Sequence, residues 1–209
     1  MEKHEVPVRQ IRAAHDAESL TVYQAYPVGI AEAALAAGTF VAPFKRERMT
    51  WIKPSFRWMM YRSGWGTKDG QERVLAVRIS RAGFEWALAR ACLSHWDRER
   101  HGSAAEWRAE LKAAPVRLQW DPERSTRLGA LPHRALQLGL EREAVHRYVD
   151  EWIVGLTDVT GLAHEVHGLV RAGRTAEADA LIPAEPAYPL PEALAARIGA
   201  TPRAGAAAR

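Results

Sequence analysis

Arg48–Trp65 reads RMTWIKPSFRWMMYRSGW, and the order of residue types in it decides the fold class. Arg48–Lys53 is rich in β-branched and aromatic residues and reads as a short strand. Pro54 lacks an N–H and has a fixed φ, so it suits the first turn of a helix and not the interior of a ladder. SFRWMMYRS then follows as a helix, and Gly64 is placed to stop it in a left-handed cap. One short segment thus turns strand into helix, and the same change recurs on both sides of it.

Upstream, Leu20–Tyr23 reads as a strand, Pro27 opens a helix over IAEAALAAG, and Gly38 closes it. Downstream, RVLAVRIS (Arg73–Ser80) combines alternation with β-branching and is the clearest strand. Ser80 is placed to cap a long helix, RAGFEWALARACLSHWDRER, with Phe84, Leu88, Ala91 and Cys92 on one face. Ser103 and Glu106 form a capping box for a helix through Lys112. Val116–Trp120 is the next strand, with Asp121-Pro122 as its end. Arg134–Leu140 alternates as a strand, a helix runs from Arg142 to about Val149, and WIVGLTD is the last strand. Asp158 or Thr160 then caps a helix to Gly173. Strands and helices interleave irregularly, which favours an α+β domain over residues 8–182 rather than a doubly wound sheet. Residues 1–18 read as peripheral, and the Pro/Ala-rich tail 183–209 as a docked extended arm or as disordered.

The chain has 209 residues, 47% hydrophobic and 26% charged, enough for one buried core. It has no apolar run long enough for a membrane span, and the charged N-terminus MEKHEVPVRQIRAAHD lacks a signal core. The single cysteine, Cys92, cannot form an internal disulfide or an all-cysteine metal site. A reduced, cytoplasmic protein with no membrane partner is the expectation. Of the net charge of +4, Lys45–Lys68 alone carries +6, from seven bases and Glu47, so the rest of the chain is slightly acidic. Concentrated positive charge fits a phosphate-bearing partner, a nucleotide or DNA or RNA. A solvated basic face is the alternative.

Metal and nucleophile motifs are largely missing. His164 and His167 are three apart near Glu165 but have no third ligand, so no metal is expected. There is no Walker sequence, GxGxxG or GxSxG. What stands out is the interleaving of Trp51, Trp58, Tyr61 and Trp65 with Lys53, Arg57 and Arg62, planar apolar faces beside cations that suit a ligand with an aromatic ring and phosphates. Trp58, Met59 and Met60 read as core, whereas Lys53 and Arg57 read as functional. In VYQAYP, Gln24 lies between Tyr23 and Tyr26 where a strand feeds a helix, a place for a ligand-orienting side chain or for an amide bonded to its neighbours. Gln137 in ALQLGL is a polar residue on an apolar strand. Glu123, Asp150, Glu151 and Asp158 are the carboxylates to consider.

VYQAYP, TWIKPSFRWMMYRSGW, VRLQWDPER, RALQLGL and DEWIVGLTDVT together resemble the family called domain of unknown function 4291, over about Val8 to Gly173. A more distant similarity is to the DNA-modifying ADP-ribosyltransferases of the DarT type. That similarity implies a split, mainly antiparallel sheet flanked by helices, with NAD as substrate in the cleft. Carried over, Gln24 takes the position of a ribose-binding His, with Tyr23 beside it, and Arg57 that of a cleft Arg. Tyr61 or Trp51 becomes the aromatic that stacks on nicotinamide, and Gln137 takes the place of a late Glu. Gln in both the His and the Glu positions departs from the pattern, because an amide can hydrogen-bond a ribose hydroxyl but cannot act as a base. Either Glu123 or Glu141 then supplies the carboxylate, or the chemistry is changed or lost. The resemblance thus implies an NAD-dependent ADP-ribosyltransferase acting on nucleic acid or protein, with Lys53 and Arg57 on the pyrophosphate. A non-catalytic nucleic-acid- or nucleotide-binding protein using the same basic aromatic surface is the alternative.

Overall fold

Two sheets meet along one line, and the cleft of interest lies beside that junction. In the computed structural model, which describes residues 6–98 and 100–201, β1 (Ser19–Tyr26), β3 (Arg73–Ser80) and β7 (Ile153–Asp158) form an antiparallel sheet in the order β1-β3-β7. The second sheet has the order β2-β6-β5-β4, from β2 (Thr50–Ile52), β6 (Ala130–Leu140), β5 (Val116–Arg124) and β4 (Ala91–Leu93). Among the pairs of these strands, β4–β5 is parallel and the others are antiparallel. The sheets touch where the Tyr23 N–H donates to the Lys53 carbonyl at 2.7 Å. The chain is therefore an α+β domain with two mainly antiparallel sheets flanked by helices.

Alternation explains what each sheet buries. Leu20 and Val22 of β1, Leu75, Val77 and Ile79 of β3, and Ile52, Leu118, Leu138 and Leu140 of the second sheet share the main core. The helices α1 (Val28–Ala37) and α3 (Arg81–Ala89) close that core with Ala31, Ala34, Phe84 and Leu88. On the other face of the first sheet, Tyr23 and Val74 pack with Phe56, Met59 and Met60 of α2 (Phe56–Ser63). Ala163 and Val166 of α6 (Thr160–Arg171) and Ala178 of α7 (Thr175–Leu181) complete this second core. Because side chains alternate along a strand, Trp51, Gln119, Asp121, Gln137 and Gly139 share the face of the second sheet that turns away from the main core.

The helix α2 forms as its sequence dictates. Ser55 Oγ accepts from the Trp58 N–H, and Gly64 takes a left-handed φ of 59° at the C-cap. The helix α1 likewise ends at Gly38, and α4 (Ala104–Ala113) starts at Ser103, whose hydroxyl accepts from the Glu106 N–H.

Four expectations are corrected. The helix after Ser80 stops at Ala89, because residues 91–93 pair with Val116–Leu118 and bury Ala91 and Cys92 in a parallel edge strand, a tertiary gain that overrides helical spacing. Asp121-Pro122 does not end β5; the strand continues to Arg124, and a register shift between Pro122 and Arg124 accommodates the missing N–H. The helix expected over 142–149 is α5 (Glu143–Arg147) followed by a π-helical turn, Tyr148–Trp152. The described segments near the two ends, residues 9–13 and 186–201, pack together rather than standing off the domain. Ile11 and Ala13 are core residues, Tyr188 N–H donates to the Ile11 carbonyl, and α8 (Glu192–Ile198) buries Ile198. Of the two forms expected for the tail, docked and extended or else disordered, it is docked as far as Thr201, but with the helix α8 in it rather than extended throughout; residues 202–209 lie outside the described residues.

Candidate functional site

A cleft of about 660 Å³ opens where β1 and β2 meet the start of α1 and the inner side of α2. Its walls carry four cations, Lys45, Arg48, Lys53 and Arg62, and no carboxylate; Tyr26, Phe44, Trp51 and Met59 provide apolar faces, and Gln24, Gln71 and Gln137 the amides. Gly139 lets Trp51 lie flat across the sheet, since a Cβ there would come within 2.9 Å of the indole.

Lys53 is the most unusual group in the cleft. It is 5% exposed, and its ammonium donates to the Trp51 carbonyl at 3.3 Å, a long bond for three donor protons. Burial, then the like charge of Arg62, pull its pKa down to about 7 against the favourable field of Asp121. A cation so placed gains most from an incoming anion.

Gln24 closes the inner end of the cleft. Its Nε2 donates to Tyr26 Oη and Thr50 Oγ1 at 2.8 Å each, with the Trp51 carbonyl at 3.2 Å, and its Oε1 accepts from the Tyr148 hydroxyl at 2.6 Å. Burial raises the pKa of the Tyr26 and Tyr148 phenols well above the usual range, so both stay protonated. Tyr26 and Thr50 lie 2.9 Å apart and each accepts from Gln24, so one of their two hydroxyl protons bridges them. The other has no acceptor in this group and is free for a ligand atom. Gln24 therefore both locks the junction of the sheets and sets the direction of that donor.

Gln137 lines the same cleft as Lys53. Its Nε2 donates to Asp121 Oδ2 at 2.6 Å and Gln119 Oε1 at 2.7 Å. Asp121 is the carboxylate that sequence reasoning missed. Its place beside a proline made it look like a turn, but on β5 it faces Gln137 and acts on Lys53.

The other expected residues lie elsewhere. Arg57 projects from the opposite side of α2 into a second cleft of about 720 Å³, where Glu123 and Glu185 also lie. Its guanidinium donates to Thr126 Oγ1 and Asp179 Oδ1, at 3.2 Å each. Glu123 is buried and accepts from the Arg124 N–H. Tyr61 faces solvent, stacked on Trp58 with the Arg124 guanidinium 3.6 Å above its ring. Tyr23 is buried edge-on against Phe56, inside the second core. Glu141 pairs with Arg117, and His167 stacks on Trp65. Of the residues singled out from sequence, Gln24, Trp51, Lys53 and Gln137 share one cleft, whereas Arg57, Tyr61, Tyr23 and Glu123 do not line it.

The chain belongs to the family of domain of unknown function DUF4291, whose model matches residues 10–188. The DUF4291 match spans every residue of the first cleft and both sheets. No curated protein and no solved structure matches the chain. The similarity to DarT-type enzymes is therefore supported by none of these comparisons, and the DUF4291 name assigns no activity. Among the described residues no helix is long and apolar enough to cross a membrane.

Proposed function

We propose that the first cleft binds a phosphate-bearing nucleotide, with NAD as substrate, and that the protein is an ADP-ribosyltransferase-like enzyme acting on nucleic acid. The observation that carries the binding half is the wall of four cations without a carboxylate, set beside Tyr26, Phe44 and Trp51. Lys53 and Arg62 hold the pyrophosphate, a role that passes from Arg57 to Arg62 because Arg57 faces the second cleft. Trp51 or Phe44 lies against a ring of the ligand. The hydroxyls of Tyr26 and Thr50, steered by Gln24, serve a ribose.

The transfer half rests on the sequence resemblance. The glycosidic bond to nicotinamide breaks with its electron pair leaving on nicotinamide, and the acceptor's nucleophile bonds to C1′ and gives up its proton. Gln137 cannot stabilise the developing cation as a carboxylate would. Asp121, which accepts from Gln137 at 2.6 Å and does not itself line the cleft, supplies negative charge to that cation through space, and the acceptor's proton passes to solvent.

Calorimetry and thermal melts of the full chain with NAD, ADP-ribose, ATP and short oligonucleotides test the binding. Stabilisation by NAD and ADP-ribose is expected, and nicotinamide release in the presence of an acceptor separates an enzyme from a binder. If oligonucleotides bind with steep salt dependence while NAD and ADP-ribose leave the melt unchanged, the surface is a non-catalytic nucleic-acid site and this reading fails.

A further inference from the structure

Away from both clefts, β4, α4 and the connection between them bring together three side chains of different chemistry. One donor atom from each of Cys92, His101 and Glu110 lies within 4.8 Å of the other two, beside a third cavity of about 570 Å³. We propose that Cys92, His101 and Glu110 form a binding site for a zinc(II)-type cation with one coordination position left to solvent or an anion. A sulfur, an imidazole nitrogen and a carboxylate oxygen are the donor set that a borderline d10 ion takes in tetrahedral geometry, and three protein ligands leave a fourth place open.

The spacing needs little adjustment. Tetrahedral donors about 2.0–2.3 Å from a metal lie about 3.3–3.8 Å apart, so the group must contract by roughly 1 Å. Glu110 is exposed on α4 and can supply that movement by a change of rotamer, while Cys92 is fixed on its strand. The scaffold under the two is firm, since Trp107 Nε1 of α4 donates to the Leu93 carbonyl of β4 at 2.8 Å. The main chain of Asp97 holds His101 Nδ1, with the carbonyl at 3.0 Å and the amide at 3.1 Å. When Nδ1–H donates to that carbonyl, the Nε2 lone pair is left for the metal, as in most histidine ligands.

The surrounding cations set the limits. Arg197 lies 3.5 Å from Glu110, Arg117 pairs with Glu141, and Arg100 donates to the Ala196 carbonyl. A thiolate and a carboxylate together cancel the charge of the dication, so the bound site is neutral, with one proton released from the thiol. Arg197 gives up Glu110 to the metal and also lines the third cavity, so its charge favours an anionic fourth ligand over water. None of this depends on the nucleotide reading of the first cleft.

Cobalt(II) is the probe that reads the ligands directly. Titration of the reduced full chain is expected to give tetrahedral d–d bands and a thiolate-to-cobalt charge-transfer band at one equivalent, both displaced by zinc. In C92S the charge-transfer band disappears, and in H101A and E110Q the affinity falls by more than about tenfold. Glu110 is exposed, so E110Q decides the matter even if substitution of the buried Cys92 unfolds the chain. Absence of the charge-transfer band, or wild-type affinity in H101A and E110Q, overturns the site.

Discussion

On one side of α2, Arg62 and Lys53 face a cleft whose walls hold cations and amides; on the other, Arg57 faces a cleft where Asp179, Glu123 and Glu185 stand among the arginines. The two clefts are of similar size and share a helix, yet their charges are used differently. In the second, Arg57 is held by Asp179 and Thr126, and Thr126 itself bonds to Asp179. In the first, the lysine amine has a carbonyl contact and a carboxylate acting through space. Positive charge at a surface is common, and a buried cation awaiting a counter-ion is what marks a ligand site.

The strongest test of this contrast removes Lys53. Charge-assisted hydrogen bonds contribute about 1.5–3 kcal/mol, so K53M is expected to weaken NAD or ADP-ribose binding about 10- to 100-fold by calorimetry. The unliganded variant should be as stable as the parent or more so, by about 1 kcal/mol, because a buried charge without an ion pair is gone. Loss of binding with a gain in stability is a combination that a purely structural lysine does not give. The pH profile sharpens it. Below about pH 7 the amine is charged in the free protein and affinity is flat; above it, binding must take up a proton, and affinity falls about tenfold per pH unit. K53M should be flat over the same range. Equal slopes in both proteins would mean that Lys53 does not face the anion.

In the second cleft the matching test is Glu185. Burial raises its pKa to about 8, and Glu123 adds to the rise, while the Phe56 N–H, donating at 2.6 Å, together with Arg57 and Arg12, pulls it back. The fold therefore prefers the acid form. Its contribution to stability is complete below the ordinary glutamate range and is lost as pH rises through about 8. E185Q keeps an oxygen for the Phe56 N–H and cannot ionise, so its melting temperature should vary less than the parent's between pH 5 and 8. If both melting curves keep the same pH slope, Glu185 is charged throughout, and the C-terminal arm is held to α2 by an ionised cap.

The elements themselves were largely legible, because their signals are local. Pro54, Ser55 and Gly64 delimit α2, and alternation with β-branching marks β3 over the full span Arg73–Ser80. What could not be read was decided by partners far along the chain. Cys92 fits a helical face by spacing, but pairing with Arg117 puts it on a strand and brings it to Glu110. Asp121 looks like a turn residue until β6 supplies Gln137 opposite Gln119 on the same face. The basic run Lys45–Lys68 showed that cations are concentrated, but not which were already paired. Asp179, which engages Arg57, is on a helix that no sequence pattern had marked.

Arg57 is where that difference has the smallest measurable consequence and the clearest reading. By residue type and neighbourhood it is expected on the pyrophosphate beside Lys53, and its loss would then weaken NAD binding and abolish turnover. Its position predicts otherwise. The Arg57–Asp179 pair is partly exposed, with side chains 29% and 48% accessible, and solvent screening holds such a pair to about 0.2–1 kcal/mol. R57A should therefore cost the fold no more than about 1 kcal/mol in denaturant titration. Affinity for NAD or ADP-ribose in the first cleft should change by less than about threefold, the coupling usual for sites without shared partners. A loss in R57A as large as that in K53M would show that one ligand spans both sides of α2, and the two clefts would have to be treated as a single site.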